Sequence, residues 1–318
     1  MDSTILVIGG LNGFIGSNTA EALVQLGHEC VVTRHKDTEI PGFLQNYIDQ
    51  YRILVEQADA TSLSDLRRIG EKHKIDAIVN VGGGFRTEGP VPMLQGYLEM
   101  LTNIFRVAKE WNVKRVLFSS TAGVYFGLQQ KSVNEDVLLP LESPFNLIAY
   151  QKIVEIAGSE FAKATGISTV MVRLMGMFGP WQDPAQSNPI LRLAHAAVNG
   201  KPVNLEDAFF MQMDDEVAHL YIKDMARAIA LLATAEKLNH HVYNIGGDKN
   251  VPNREILDVI HKLVPGSSQL SLPPGRTPFS LPFMENKRLK EDTGFTPEFD
   301  VHSAIQDYVN WLKAGNPR

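Results

Sequence analysis

The 318-residue sequence has a single cysteine, Cys30, no apolar run of bilayer length and no cluster of basic residues. One cysteine excludes an internal disulfide framework, and the lack of a long apolar run argues against a membrane-spanning helix. The formal net charge is -6. Nucleic acids and anionic membrane surfaces bind concentrated Lys and Arg, so neither is an expected partner.

Motifs for several other chemistries are also absent. The nine histidines are scattered, without a His-Glu-x-x-His pattern or a Cys/His cluster, so no metal site is expected. No Gly-x-Ser-x-Gly elbow is present, which argues against a hydrolase. The first apolar run begins near residue 4 and leaves no room for a signal peptide. We therefore expect a cytoplasmic protein that acts on a small molecule.

The first seventeen residues carry the strongest motif. An apolar run over 5–8 leads into the glycine pattern Gly10-x-x-Gly13-x-x-Gly16 and then into a helical pattern. Glycines let the backbone approach phosphate groups, and a helix N-terminus favours negative charge, so this corner predicts a dinucleotide site. The residues expected to hold the dinucleotide here are Gly10, Gly13, Phe14, Ile15 and Gly16.

Strand and helix patterns alternate through the first 175 residues, as in a doubly wound parallel sheet. The predicted strands are 5–8, 30–33, 53–56, 77–81, 116–119 and 169–173. The predicted helices, whose apolar residues recur at intervals of three and four, are 17–26, 62–72, 96–111 and 150–165. With 44% hydrophobic residues the chain can bury a sizeable core.

The composition changes after Gly179-Pro180, where Pro, Met and Phe become frequent and one further strand is predicted over 241–245. We expect an α/β fold: a doubly wound parallel (Rossmann) sheet with a smaller, discontinuous C-terminal substrate lobe. The dinucleotide-binding domain is predicted over 1–175 plus about 215–248, and the substrate-binding lobe over about 176–214 plus 249–318.

In this order the segments resemble an extended short-chain dehydrogenase/reductase of the NAD-dependent epimerase/dehydratase family, over nearly the whole length. The motifs that carry the resemblance are the glycine turn, Asp59-Ala60, the 80–83 run Asn-Val-Gly-Gly, the 118–125 run Phe-Ser-Ser-Thr-Ala-Gly-Val-Tyr, Arg173, the 178–180 run Phe-Gly-Pro, the 221–224 run Tyr-Ile-Lys-Asp, the 243–246 run Tyr-Asn-Ile-Gly, and Trp311. In many members two long helices form a dimer contact, so the resemblance also implies a homodimer built on 96–111 and 150–165.

The resemblance places further residues beside the cofactor. It assigns Asp59 and Ala60 to the adenine, and it puts Val81, Gly82 and Gly83 next to the dinucleotide. Arg34 and His35 end the second strand, where an acidic residue would hold the ribose hydroxyls of NAD. A cation there suits the 2′-phosphate of NADP, which favours NADP over NAD. The alternative is an ordinary solvated charge run.

The usual catalytic pair of the family, Tyr-x-x-x-Lys, does not occur between Ser120 and Arg173. With Glu155 as an anchor, its two positions fall on Leu147 and Gln151, and neither side chain can move a proton. Thr121 retains the Ser/Thr position that contacts the substrate oxygen. The residues considered for catalysis are Thr121, Tyr150, Tyr97 and Lys152, although Tyr150 and Lys152 are too close in sequence to share a helix face.

Members of the family that act on nucleotide sugars usually carry an Asn and an Arg at the positions of Gly176 and approximately Val217. Both contacts are missing here, and Met, Phe and Trp are frequent nearby, so we predict a relatively apolar substrate rather than a nucleotide sugar. The alternative is that these side chains form the core of the lobe. The residues expected to contact substrate are Gly84, Met175, Met177, Phe178 and Trp181.

Three functions remain open from the sequence. The first is an NAD(P)-dependent oxidoreductase acting on a carbonyl or alcohol with a displaced proton donor, and we favour it because hydride transfer depends mainly on positioning. The second is an isomerase, epimerase or lyase that retains the cofactor. The third is a non-catalytic dinucleotide-binding sensor or partner protein.

Overall fold

The computed structural model describes residues 3–35, 39–83, 89–183, 188–206, 208–278 and 281–318. The strands are β1 (Thr4–Ile8), β2 (Glu29–Arg34), β3 (Ile53–Gln57), β4 (Ala77–Asn80), β5 (Arg115–Thr121), β6 (Ser132–Val133), β7 (Ser168–Leu174), β8 (Met177–Phe178), β9 (Glu216–Val217), β10 (Leu220–Tyr221), β11 (Val242–Ile245), β12 (Val251–Pro252) and β13 (Phe283–Met284). The α-helices are α1 (Phe14–Gln25), α2 (Gly42–Asp49), α3 (Leu63–Lys72), α4 (Pro90–Glu110), α5 (Asn146–Thr165), α6 (Pro189–Asn199), α7 (Ile222–Thr234), α8 (Asn253–Leu263), α9 (Lys287–Thr293) and α10 (Val301–Lys313).

The central sheet has seven strands in the order β3-β2-β1-β4-β5-β7-β11, and every neighbouring pair is parallel. The strand order reverses between β1 and β4, which is the switch point where doubly wound folds bind their ligands. The predicted fold class is confirmed. The predicted central strands differ from the observed ones by no more than two residues at either end.

The sheet is apolar because helices cover both of its faces. Ile5 and Val7 point into one core cluster, whereas Leu6 and Ile8 point into the other. All four side chains are at most 3% exposed. Alternate strand residues face opposite sides of a sheet, so a strand that is buried on both sides is a continuous apolar run.

Two predicted helices begin earlier than the sequence pattern indicates. The helix predicted over 96–111 begins at Pro90, and the helix predicted over 150–165 begins at Asn146. The first turn of α4 is largely exposed, so it lacks the apolar spacing on which the prediction depended, whereas the first turn of α5 already buries Ile148. Helix α2 was not predicted, and Leu44 is its one fully buried residue.

The second part of the chain places α6, α8 and α10 in contact with one another, and their core is continuous with one face of the sheet. The residue boundaries of the two parts stay a prediction. The exposed apolar side chains Leu98, Ile153 and Ile156 lie on α4 and α5, and the homodimer likewise stays a prediction. Within the described ranges, no helix has the length and apolarity needed to span a membrane.

Candidate active site

A cleft of 780 Å³ opens at the carboxyl ends of β1, β2 and β4, at the switch point of the sheet. Its floor comes from the glycine turn and from the segment after β4, and its far wall comes from the first turns of α4. Gly13 caps α1 without a side-chain hydrogen bond, and the first turn of α1 holds no acidic residue. The helix therefore presents its N-terminus to the cleft, which favours a phosphate group there.

The glycine turn is packed too closely for side chains. A Cβ on Gly13 would lie 2.3 Å from the carbonyl oxygen of Gly9, and one on Gly16 would lie 2.5 Å from Cα of Gly10. A Cβ on Gly10 would lie 2.3 Å from Cγ1 of Val32. Gly10 and Gly16 therefore seat α1 against β1 and β2, whereas Gly13 also lines the cleft.

The end of the cleft beside β2 and β3 carries mixed charge. Arg34, His35 and Asp59 all line it, and His35 Nε2 lies 3.0 Å from Asp59 Oδ2. Partial burial raises the pKa of the Asp59 carboxyl, but the hydrogen bonds from Thr61 and His35 outweigh it and hold the pKa below its ordinary value. A carboxylate and two potential cations thus share this end of the cleft.

Eight of the twelve predicted cofactor residues line the cleft: Gly13, Arg34, His35, Asp59, Ala60, Val81, Gly82 and Gly83. Gly10 and Gly16 support the turn from behind, and Phe14 and Ile15 are half-buried against the core. The sequence analysis missed the α4 wall formed by Pro92, Gln95, Gly96, Glu99 and Met100. Pro92 and Gln95 precede the predicted helix, which began at residue 96, whereas Gly96, Glu99 and Met100 lie within it and no motif marked them.

A second cavity, of 630 Å³, lies at the carboxyl ends of β5 and β7 and extends under the second lobe. Its lining is mostly apolar and includes Phe126, Phe145, Ile148, Phe209 and Phe210. Thr121, the last residue of β5, contributes a hydroxyl, and its Oγ1 accepts a hydrogen bond of 3.1 Å from the backbone N–H of Gly123. The hydroxyl proton of Thr121 is thus available to a bound molecule.

Three of the four predicted catalytic residues do not line this cavity. Tyr150 donates its hydroxyl to the carbonyl of Pro90 at 2.9 Å, and Tyr97 donates its own to the carbonyl of Gly83. The two rings pack together with centroids 5.2 Å apart, and burial raises the pKa of Tyr97 to about 12. The catalytic roles of both tyrosines therefore stay predictions that the geometry does not support.

The third of these residues, Lys152, serves the loop before α5. Its Nζ donates to the carbonyls of Pro140 and Glu142 and to the hydroxyl of Ser143, the last two at 2.9 Å. Burial lowers the pKa of Lys152. Leu147 is exposed, and neither Leu147 nor Gln151 lines the cavity. Only Thr121 of the predicted catalytic residues lines the cavity.

The predicted substrate residues divide in the same way. Met175 and Met177 line the cavity, whereas Phe178 lies in the core with 1% of its surface exposed. Trp181 packs edge-on against Phe43 at 6.3 Å, outside the cavity. Gly84 lies outside the described residues. The placement of Phe178 and Trp181 agrees with the alternative interpretation of the sequence, in which these side chains form the core of the lobe.

Apart from Thr121, the polar residues of the cavity are ones that the sequence analysis did not single out. They are Gln182, Asn188, Glu216 and His219, which line the cavity together with Thr121. Glu216 also borders a smaller cleft of 410 Å³ that contains Arg254 and Arg276, and Arg276 binds Glu216 at 2.7 Å. Two arginines therefore lie beside the mostly apolar cavity. No local motif marks them, because the fold brings them together from distant positions.

Gly176 explains one departure from the family pattern. Its φ is +69°, and a Cβ there would lie 2.3 Å from the carbonyl oxygen of Ala218. The backbone between β9 and β10 thus packs directly on Gly176, and the amide of Leu220 donates to the Gly176 carbonyl at 3.1 Å. No side chain fits at this position, so the asparagine common in nucleotide-sugar enzymes is sterically excluded.

A buried ion pair lies behind Thr121. Arg173 on β7 donates three hydrogen bonds of 2.6–3.2 Å to Glu155 on α5, and Ser120 on β5 donates to the same carboxylate at 2.6 Å. Arg173 also donates to the Tyr125 hydroxyl at 2.7 Å. Burial alone would lower the pKa of Arg173, but the contact with Glu155 outweighs it and raises that pKa. The Arg173 guanidinium therefore stays protonated, and its contacts with Glu155 and Ser120 join β5, β7 and α5.

Comparison with known proteins agrees with this geometry. Residues 5–246 match the model of the NAD dependent epimerase/dehydratase family. The chain is 23% identical to UDP-glucuronate 4-epimerase of Thermodesulfobacterium geofontis, over 96% of this chain and 95% of that protein. Its fold is similar to two crystal structures. The structure of UDP-glucose 4-epimerase of Thermotoga maritima with UDP-glucose matches with a TM-score of 0.82 and 18% sequence identity. The match covers 98% of this chain and 99% of that one. The structure of dTDP-glucose 4,6-dehydratase of Bacillus anthracis with NAD matches with a TM-score of 0.81 and 18% sequence identity. The match covers 98% of this chain and 97% of that one.

These relatives correct one prediction from the sequence. The substrate was predicted not to be a nucleotide sugar, and that prediction is contradicted because the relatives act on or bind UDP-sugars and a dTDP-sugar. The prediction depended on the missing Asn and Arg contacts at Gly176 and approximately Val217 and on the apolar side chains near the site. Phe178 and Trp181 face the core, and the nearby cations, Arg254 and Arg276, come from distant segments.

The ion pair yields a stability prediction. Glu155→Ala leaves the Arg173 guanidinium buried without its counter-charge, so we expect the free energy of unfolding to fall by about 3–5 kcal/mol. Glu160→Ala on the same helix is the control, because Glu160 forms an exposed pair with Lys163 and its loss should cost less than about 1 kcal/mol. Urea denaturation measures both values. Equal losses in the two variants would contradict the structural role of the buried pair.

Proposed function

The chain belongs to the NAD dependent epimerase/dehydratase family, and we propose that it binds a nucleotide sugar in the cavity and transfers a hydride between the sugar and a nicotinamide dinucleotide in the cleft. It is an epimerase/dehydratase-like enzyme. The observation that carries the proposal is the placement of cleft and cavity at the carboxyl ends of one parallel sheet, with Thr121 at the end of β5.

The cleft residues fit a dinucleotide. The Cβ-free path over Gly9, Gly13 and Gly82 lets the backbone approach a pyrophosphate, and the α1 N-terminus favours its charge. Asp59 and His35 offer hydrogen-bonding groups to the adenosine end. When bound, the nicotinamide supplies the hydride acceptor or donor.

Thr121 is the residue placed to contact the reacting oxygen of the substrate. Its Oγ1 already accepts from Gly123, so its own proton can be donated to a substrate oxygen in the cavity. Leu147 and Gln151 stand where the resemblance places the Tyr-Lys pair, so the proton of the reacting hydroxyl passes to water in the cavity rather than to a tyrosine. Among the described residues that line the cavity, Glu216 and His219 are the ones with ionisable side chains.

The two arginines support a nucleotide-sugar substrate. Arg254 and Arg276 lie in the cleft that shares Glu216 with the cavity, and guanidinium groups are well suited to bind phosphate oxygens. The apolar rings Phe209 and Phe210 line the cavity itself. A nucleotide sugar fits this arrangement, with its charged diphosphate beside the arginines and the mostly apolar cavity next to them.

The oxidoreductase and the epimerase or lyase interpretations share this hydride step. They differ in the fate of the cofactor, because an epimerase or dehydratase returns the hydride to the sugar, whereas an oxidoreductase releases reduced cofactor. The relatives favour return of the hydride, since UDP-glucuronate 4-epimerase and dTDP-glucose 4,6-dehydratase are among them. We therefore propose epimerisation or dehydration ahead of net oxidation.

We also propose that NADP is preferred over NAD. Arg34 ends β2 and lines the adenosine end of the cleft together with His35. A 2′-phosphate at that end would form charge-assisted hydrogen bonds with the Arg34 guanidinium. The dTDP-glucose 4,6-dehydratase structure contains NAD, so the cofactor choice needs a direct measurement.

The hydride step is tested with UDP-glucose, UDP-glucuronate and dTDP-glucose. We expect a transient rise in absorbance at 340 nm and an epimerised or dehydrated sugar on chromatography. Thr121→Val should lower kcat about 100-fold, because it removes a donor to the reacting oxygen. Thr102→Val on the exposed side of α4 is the control and should keep full activity. If no sugar reduces the cofactor or changes, the proposed function is wrong.

Arginine substitution tests the nucleotide-sugar class. Arg276→Ala should raise KM for UDP-glucose about tenfold or more with little change in kcat, because it removes a phosphate contact distant from the reacting carbon. Arg67→Ala is the control, because Arg67 is as exposed as Arg276 and also forms an ion pair, with Glu110 at 2.6 Å. Steady-state kinetics compare the two variants. An unchanged KM in Arg276→Ala would exclude this arginine from diphosphate binding.

Cofactor preference is tested at Arg34. We expect Arg34→Ala to weaken NADP binding about 10- to 100-fold and to leave NAD affinity nearly constant, because only NADP carries the 2′-phosphate. Isothermal titration calorimetry measures both dissociation constants, with Arg67→Ala again as the control. A constant ratio of NADP to NAD affinity would mean that Arg34 belongs to a solvated charge run.

A further inference from the structure

Arg318 lies beside the glycine turn of the dinucleotide cleft, although the two are far apart in the sequence. Its Nη2 donates a hydrogen bond of 3.1 Å to Oδ1 of Asn12. Asn12 lines the cleft and directly precedes Gly13, the N-cap of α1. The functional scheme above uses neither Asn12 nor Arg318. A distant segment thus contacts the turn that is proposed to hold the pyrophosphate.

Two tryptophans hold Arg318 in place. Its guanidinium lies over the ring of Trp181, 4.3 Å from the ring centroid, and tryptophan is the aromatic side chain that binds cations best. Its backbone carbonyl accepts a hydrogen bond of 2.7 Å from Nε1 of Trp311. Phe43 on α2 packs edge-on against both tryptophan rings, with centroids 6.3 and 6.2 Å apart. The side chain and the backbone of Arg318 are therefore each held by a tryptophan.

The backbone of Trp181 adopts an uncommon conformation. Its φ is +73°, in the left-handed region that bulky residues rarely adopt, and the residue is 5% exposed. A residue keeps such a conformation only where its surroundings determine it. The preceding carbonyl, that of Pro180, accepts a hydrogen bond of 3.3 Å from Nδ2 of Asn18 on α1. The support beneath Arg318 is thus attached to the same helix whose N-terminus faces the cleft.

The contact with Arg318 orients the side-chain amide of Asn12. A guanidinium group can only donate, so the amide oxygen faces Arg318 and Nδ2 is the polar atom left for a molecule in the cleft. Asn12 is exposed, so such a molecule can reach its amide. The neighbouring backbone is already fixed, because the amide of Leu11 donates to the carbonyl of Thr33 at 3.2 Å. The side chain of Asn12 is therefore the part of the turn that Arg318 restrains.

Asn12 is also the polar side chain that this turn offers to the cleft. Ile8, Gly9, Asn12 and Gly13 line the cleft, and among these described residues Asn12 alone has a polar side chain. The cations that line the described part of the cleft, Arg34 and His35, lie at its other end, after β2. A phosphate group at the turn would thus meet backbone N–H groups and the amide of Asn12.

We propose that Nδ2 of Asn12 donates a hydrogen bond to a pyrophosphate oxygen of the bound dinucleotide, and that Arg318 is the positioning residue that holds the amide in this orientation. The inference rests on the proposed function, because it needs a dinucleotide in the cleft. Phosphate oxygens only accept hydrogen bonds, so an amide turned the other way would present an oxygen to them and repel them. An amide that is already oriented loses less side-chain freedom when the dinucleotide binds.

A double-mutant cycle tests the inference. Isothermal titration calorimetry measures the affinity of the full chain for NAD or NADP, whichever wild type binds more tightly. Asn12→Ala removes the donor and should weaken binding about tenfold. Arg318→Ala frees the amide to rotate and should weaken binding roughly threefold to tenfold. The double variant should bind no more weakly than Asn12→Ala, because Arg318 acts only through that side chain.

Two further variants provide a rescue and a control. Arg318→Lys keeps the cation above Trp181 and one N–H donor for Asn12, so its affinity should stay within about twofold of wild type. Lys313→Ala removes the same charge from the same segment and should leave the affinity unchanged. Nζ of Lys313 donates to the carbonyl of Leu263 at 2.8 Å, and neither residue lines the cleft.

The other outcomes have distinct meanings. Unchanged affinity in either single variant would overturn the inference, and so would a failed rescue in Arg318→Lys. Losses that multiply in the double variant would overturn it as well, because Arg318 would then act by its charge or through the fold rather than through Asn12. An equal loss in Lys313→Ala would have the same meaning. If wild type binds neither NAD nor NADP, the proposed function itself fails and the inference fails with it.

Discussion

The site depends on the buried ion pair between Glu155 and Arg173. Two charges removed from water destabilise a fold unless their remaining hydrogen-bonding capacity is met, and here Ser120 and Tyr125 help to meet it. The pair joins α5 to β7, and Ser120 joins β5 to the same carboxylate. These three elements form the sheet side of the cavity. Thr121 follows Ser120 directly, so the position of its hydroxyl is set by a network whose residues, Ser120, Tyr125, Glu155 and Arg173, do not line the cavity.

The sheet was predictable from the sequence because its signal is local. A strand buried on both faces must be apolar throughout, and Ile5–Ile8 shows this directly. The glycine turn was predictable for a similar reason, since α1 can approach β1 only where Cβ atoms are missing. Helix starts were less predictable, because the exposed first turn of α4 carries no apolar spacing. That error left Pro92 and Gln95, which are part of the wall of the cofactor cleft, outside the predicted helix.

The interior of the site was harder to predict because side-chain direction depends on tertiary packing. Tyr150 lies three residues after Leu147 on α5, and the sequence alone does not show that its phenol turns toward Tyr97 rather than the cavity. Similarly, Met177 and Phe178 are adjacent, yet one lines the cavity and the other is buried in the core. His219 and Arg276 lie in segments without any motif, and only the folded second lobe brings them to the site.

The close packing of Ala218 on Gly176 has a consequence for how such a site can change during evolution. Any side chain at position 176 would displace the segment that also carries Val217 and His219. An asparagine could therefore occupy position 176 only if that segment moved, and moving it alone would disturb the wall formed by His219. Positions 176, 217 and 219 are thus mutually constrained. This arrangement of the three positions is therefore difficult to change by single substitutions.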